Sequence, residues 1–315
     1  MLKNMLNKDM LKNVMLSVAR KTPGLGRLIE YNEQRLRRQH GFVPPGHFYS
    51  PIPPWAAIKQ DAARIFREHP EREIAGIDLR EAEQLALLEE FRRYYADHPF
   101  TAQKKAGNRY YFENPAYSYS DAIMLHCMLR HLRPKRLIEV GSGHSTCATL
   151  DTNEKFLGGS LEVTLIEPYP ELLYSLVTEE DKQRISVLPS RLQVVDLEVF
   201  DSLEKNDVLF IDSTHVVRVD SDVNRVFFGI LPRLRPGVFV HFHDAFFPFE
   251  YPRQWVFDGI AWSELYLLRA FLQYNSRFRV VLMNTFMEQF HEGFFRENMP
   301  LCLENRGGSI WLEKT

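Results

Sequence analysis

Cysteine is scarce in this chain: three residues in 315, Cys127, Cys147 and Cys302. They are odd in number, scattered and without metal-ligand spacing, so a disulfide framework is excluded and they read as buried thiols of a reducing compartment. Long apolar runs are missing too. None approaches the roughly 18 residues that a membrane-spanning helix needs. None near the start is long enough for the core of a secretory signal, so the expected location is cytoplasmic, with no membrane span. Basic excess is also absent. The 39 Lys and Arg face 41 Asp and Glu, a net charge of −2, which argues against a surface that coats nucleic acid. No internal repeat or low-complexity tract is visible. What is there, 45% hydrophobic and 25% charged residues, is an ordinary globular composition. One local exception is Met1 to Arg38, with nine Lys or Arg against three acids. Its apolar positions do not keep to one helical face and Lys8-Asp9 interrupts them. This favours a helix that is either mostly solvated or, in a homo-oligomer, dimer-contacting, over a membrane-surface or targeting helix.

Three regions follow one another. Residues 1–70 form an N-terminal extension with a Pro-rich loop, Val43 to Pro54, whose five prolines rule out a regular helix. Residues 71–133 form a helical cap region, in which Glu81 to Tyr95 combines strong helix formers with a Leu/Phe face. The pattern changes from residue 134. Short apolar runs occur at Arg136–Val140, Leu161–Glu167, Ile185–Leu188, Asp207–Asp212, Gly237–His241, Arg279–Asn284 and Ser309–Lys314. Connectors of helix length, such as Asp220–Leu234, separate most of them. This predicts an α/β fold, a doubly wound and mostly parallel seven-stranded sheet covered on both faces. No obvious helix fills the gap between the last two runs, which predicts an antiparallel final strand tucked into the sheet.

The first run stops at a glycine turn, Glu139-Val140-Gly141-Ser142-Gly143, and a helix opens behind it. Glycine suits such a turn because a Cβ would hold a ligand away from the backbone and one position needs unusual dihedrals. A plain strand-to-helix turn is the simpler alternative. The second run ends at Glu167, 24 positions beyond Gly143, where a carboxylate can accept both ribose hydroxyls of an adenosine group. A dinucleotide site usually has a third glycine, at a place occupied here by Thr146. Both a dinucleotide and a nucleoside cofactor without phosphate fit this geometry, and in the second case an acidic residue two before the first glycine, here Glu139, could hold an ammonium group.

Ligands of open parallel sheets bind beyond the carboxyl ends of the strands. The fourth run ends in Asp212-Ser213-Thr214-His215 and the fifth continues into His241-Phe242-His243-Asp244. Asp212, His215, His243 and Asp244 are therefore candidates for one cleft. The alternative is that the two aspartates cap turns. His241, within the strand, reads as a packing residue. The aromatic stretch Phe246 to Tyr251, with Trp255 and Trp262, reads as an apolar wall suited to sugar or aryl rings.

From Pro134 onward the chain resembles the class I S-adenosylmethionine-dependent methyltransferases, whose first motif has the form E-x-G-x-G. That resemblance implies a Rossmann-like methyltransferase fold, S-adenosylmethionine as cofactor, and cofactor contacts from Glu139, Gly141, Ser142, Gly143, Glu167 and Asp212. The strand ends are similar to catechol-type and, more closely, to macrolide-sugar and rhamnosyl O-methyltransferases. By that match Asp212, His243 and Asp244 would hold a divalent metal, magnesium or manganese, and His215 would be the general base. His243 departs from the family, which has an oxygen ligand there, and imidazole suits softer ions such as manganese or iron better than magnesium. The segments HFYSPIP, AGIDLREAEQLALLEEF and NPAYSYSDA look like those of a bacterial methyltransferase family found near surface-glycan and secondary-metabolite genes. The implied reaction is O-methylation of a small-molecule or glycan acceptor. Rival expectations are a non-catalytic binding module and a monooxygenase-like relative on the same fold. Tyr117, Tyr119 and Asp121 are expected either to line the cofactor mouth or to pack as an aromatic cap.

Overall fold

The computed structural model describes Thr22 and residues 24–315. Of the basic stretch Met1–Arg38, residues 1–21 and 23 lie outside the described residues. Its remainder enters helix α1 (Leu25–His40). The chain divides into two compact units. One takes the residues up to Phe66 together with Val256–Ala261, and the other comprises Arg67–Trp255 and Trp262–Thr315. Within the first, the Pro-rich stretch runs as irregular turns, with Gly46 donating to the carbonyl of Ile52 at 3.1 Å. Phe66 meets Phe257 edge-on at 5.9 Å.

The second unit holds the sheet. After helix α2 (Glu81–Tyr95) and the almost wholly buried helix α3 (Tyr119–Leu132) come strand β1 (Arg136–Val140) and helix α4 (His144–Phe156). Strands β2 (Glu162–Ile166), β3 (Ser186–Leu188), β4 (Val208–Ile211) and β5 (Phe239–His243) follow. Helix α5 (Glu264–Leu272) precedes β6 (Phe278–Met283), and helices α6 (Asn284–Phe290) and α7 (Glu292–Asn298) precede β7 (Ser309–Lys314). The strand order is β3-β2-β1-β4-β5-β7-β6. Strands β1 to β5 pair in parallel, while β7 runs antiparallel to both β5 and β6. Every residue of β4 and β5 is buried. A parallel strand with helices on both faces has no polar side to alternate with. This is the doubly wound sheet with an antiparallel final strand that the sequence predicts.

Two expectations are corrected. The fifth strand lies two residues later than the expected Gly237–His241 and ends on His243. Gly237 is instead a turn residue with φ +85°, where a Cβ would fall 2.7 Å from Lys205. The gap between the last two strands is also not free of helix. Helices α6 and α7 fill it, seven residues each, with Phe286, Met287 and Phe295 turned into the core at 0–1% exposure. Two short helices broken at His291 leave too brief an apolar period to stand out in the sequence.

Asp207, 1% exposed, accepts from the backbone N–H groups of Lys135 at 3.0 Å, Arg136 at 2.9 Å and Glu204 at 2.9 Å, tying the starts of β1 and β4 together. On the same unit, Arg109 joins the approach to α3 to three acids, the exposed Glu154 at 2.7 Å and two buried aspartates. It meets Asp151 at 2.9 Å and Asp181 at 2.6 Å, whose side chains are 0% and 4% exposed. Removing one partner of such a group strands the others as buried charge. Arg109→Ala is therefore expected to cost about 3–5 kcal/mol in urea unfolding. A change within the scatter of surface substitutions would show that the two acids find other partners.

Candidate active site

The glycine turn is built by close approach. Gly141 has φ +82°, and a Cβ placed on it would lie 1.8 Å from the carbonyl oxygen of Asp212. Gly141 donates to Ile166 at 3.1 Å and Asp212 donates to Val140 at 2.9 Å, so the ends of β1, β2 and β4 are stitched at one point. Gly143 differs. A Cβ there would meet only Leu172, at an ordinary 3.7 Å. The protein's own packing does not require this glycine, which leaves its open side to a ligand.

Glu139 points under the turn and is 1% exposed. Its two oxygens accept from Ser145 Oγ at 2.5 Å and Thr146 Oγ1 at 2.9 Å. Burial pushes its carboxyl up to about 8, against those hydrogen bonds. Glu167, half-buried, accepts from the backbone of Ser142 at 3.1 Å with Oε2 and from that of Tyr169 at 2.8 Å with Oε1. The structure thus gathers Glu139, Gly141, Ser142, Gly143 and Glu167 around one turn, with Asp212 at its inner edge.

A second group lies beyond the ends of β4 and β5. Nε2 of His215 stands 3.3 Å from Asp212 Oδ1 and 3.4 Å from Asp244 Oδ2. Nδ1 of His243 stands 3.3 Å and 3.7 Å from the same two oxygens. One ligand atom each from Asp212, His215 and Asp244 fall within 4.8 Å of one another. His215 and Asp244 have φ +58° and +55°, values uncommon outside glycine, although Asp and His adopt them more often than most side chains. The surroundings fix the charges. Burial works against the ionised form of Asp212, but His243 and His215 hold its carboxyl well below the usual range. Burial also opposes charge on His215, yet Asp212, Glu264 and Asp244 push it up to about 10. The unperturbed value near 6.5 that would make it a ready base is therefore not what this site gives it. Against burial again, Asp212 and Asp244 raise His243.

These residues line a cleft of about 740 Å³ together with Asn114, Phe246, Trp255 and Trp262. Trp255 and Trp262 meet edge to face at 5.5 Å, and Phe246 meets Trp255 at 5.2 Å. Tyr117 is 2% exposed, and Tyr119 stacks on Phe112 at 4.5 Å. Asp121 lines the cleft and stands 3.5 Å from Nε2 of His243. His241 is 0% exposed and stacked on Phe210 at 4.1 Å, with neither ring nitrogen hydrogen-bonded. Glu264, which contacts His215, escapes sequence reasoning. It lies 49 positions away and has no motif.

A family model described as a methyltransferase domain matches residues 138–245, from β1 to just past β5. An uncharacterized protein of Archaeoglobus fulgidus is 36% identical over 184 residues, 57% of this chain and 82% of its own length. Two solved structures are similar at 14% identity. The S-adenosylhomocysteine-bound methyltransferase PaMTH1 of Podospora anserina matches over 82% of this chain and 95% of its own, with a TM-score of 0.40. The O-methyltransferase TomG of Streptomyces achromogenes, involved in tomaymycin synthesis and complexed with S-adenosylmethionine, matches over 83% and 97%, with a TM-score of 0.41.

The two glycines are expected to separate under substitution. Gly141→Ala should lower the unfolding midpoint strongly, because backbone must move. Gly143→Val should leave the midpoint nearly unchanged while weakening S-adenosylhomocysteine binding in isothermal titration. Equal destabilisation by both would refute this division of labour.

Proposed function

The chain belongs to the class I S-adenosylmethionine-dependent methyltransferases, and from that premise we propose that it methylates a hydroxyl oxygen of a sugar, glycan or secondary metabolite. The observation that supports this best is the convergence of Asp212, His215, His243 and Asp244 beside the glycine turn, joined to it through the Gly141–Asp212 contact. The cofactor would lie along the turn, with its ribose at Glu167. Glu139, whose oxygens are engaged by Ser145 and Thr146, would act from below by shaping the turn rather than by reaching an ammonium group in its present rotamer. The acceptor would lie in the cleft, its ring against Phe246, Trp255 and Trp262.

In the transfer the acceptor oxygen attacks the sulfonium methyl carbon, the new C–O bond forms as the C–S bond breaks, and the thioether leaves. The hydroxyl proton passes to Nε2 of His215. Holding the reacting atoms in line contributes most of the rate, and proton removal adds about 10²–10⁴-fold. Asp212, His243 and Asp244 would hold a divalent ion. Two carboxylates face the buried His243, whose Nδ1 has no hydrogen-bond partner, although the ligand atoms that converge within 4.8 Å are those of Asp212, His215 and Asp244. Such an ion would lower the acceptor's pKa and counter the negative charge that otherwise keeps an imidazole here protonated.

Two outcomes test the assignment. His215→Ala should keep S-adenosylhomocysteine affinity while turnover on a methylated acceptor falls by two or more orders of magnitude, as base removal typically does. An unchanged rate would move the base elsewhere. Metal analysis of the wild type should find a divalent ion that Asp212→Ala loses without unfolding. Full activity in strong chelator would leave the three residues as polar groups of the cleft.

A further inference from the structure

Glu264 opens helix α5 and is 3% exposed. A glutamate in the first turn of a helix complements the helix dipole, and ordinarily does so in water. This one is buried. Its Oε2 lies 2.8 Å from Nδ1 of His215, while Oε1 is buried with no hydrogen-bond partner. A carboxylate is expensive to remove from water unless it is paired, and among the described residues it is His215 whose side chain hydrogen-bonds it. The rest of the turn grips the same residue. The backbone N–H groups of Ser263 and Glu264 both donate to the carbonyl of His215, at 2.9 and 3.0 Å. Ser263 Oγ accepts from the backbone of Val217 at 2.8 Å. The Trp262 ring lies 4.4 Å from the imidazole. Three consecutive residues thus hold a histidine whose φ of +58° few side chains adopt unaided.

We propose that Glu264 is the positioning residue of His215. By holding the proton on Nδ1 it makes Nε2 the nitrogen that offers a lone pair whenever the ring is neutral, turned toward Asp212, Asp244 and the cleft. This rests on the reading of His215 as the base. A glutamine has nearly the same shape, but its amide can donate to Nδ1 as readily as accept from it. In Glu264→Gln the lone pair is no longer confined to the cleft side.

The pairing can be observed without an acceptor. In protein labelled with ¹⁵N-histidine and saturated with S-adenosylhomocysteine, the wild type is expected to show a strongly downfield, exchange-protected proton on a histidine Nδ1. His215→Gln, which lacks the imidazole, assigns it. Glu264→Gln should lose the resonance and shift the ring nitrogens of His215, with cofactor affinity and unfolding midpoint essentially unchanged. A glutamate that served only to start α5 would change the midpoint and leave those nitrogens alone. With any acceptor that the wild type methylates, Glu264→Gln should lower kcat by on the order of 10² at constant KM, the size of a misdirected base. Absence of the resonance in the wild type, a result that needs no variant to fold, or its survival in Glu264→Gln would overturn the proposal. Unchanged turnover in His215→Gln, with the resonance present in the wild type, would instead strike the base assignment beneath it.

Discussion

The structure turns on a contact between two stretches of backbone. At the end of β1 the chain passes so close to the carbonyl of Asp212, at the end of β4, that no side chain fits between them. Everything at the carboxyl edge of the sheet takes its place from that approach. It sets the height of the glycine turn, and with it the open side of Gly143. It fixes where Asp212 leaves its strand, and so where His215 stands three residues later. The cofactor turn and the acid-base cluster are two faces of one joint, and Asp212 belongs to both.

Electrostatics gives the joint its character. Asp212, Asp244, Glu264 and Asp121 surround two imidazoles, and each histidine has a carboxylate on both sides. Both rings are consequently held in the charged form. That neutralises part of the cluster but spends the lone pairs that chemistry needs. A cation among the aspartates, whether a metal ion or the sulfonium itself, relieves the same imbalance. In its absence the histidine protons are what balance the surrounding carboxylates.

Much of the scaffold was legible in the sequence, because strands buried on both faces appear as unbroken apolar runs. The E-x-G-x-G turn was legible because a close approach admits only glycine at Gly141. The spacing of Asp212 and His215 was legible because both sit on a single turn. What stayed hidden depends on distance or brevity. Glu264 acts across 49 positions, and no local pattern announces a carboxylate folded inward. Glu139 is engaged by hydroxyls six and seven residues ahead, which only the path of the turn brings back. Helices α6 and α7 are too short to show a period, and Gly237-Val238 looks like strand until the turn before β5 claims it.

The sheet order has a consequence for how the molecule comes together. Strand β7, last in chain order, lies between β5 and β6. The residue just before it, Gly308, donates to both oxygens of Asp121 at 3.2 and 3.1 Å. Strands β1 to β5 can pair with one another before the end of the chain is in place, but the outer edge of β5 and the whole of β6 depend on β7. Until β7 is in place two apolar strand edges stay unpaired and Asp121, beside His243, lacks its backbone donors. The cleft beside His243 therefore depends on the last strand of the chain, because only with Gly308 in place does Asp121 gain these backbone donors.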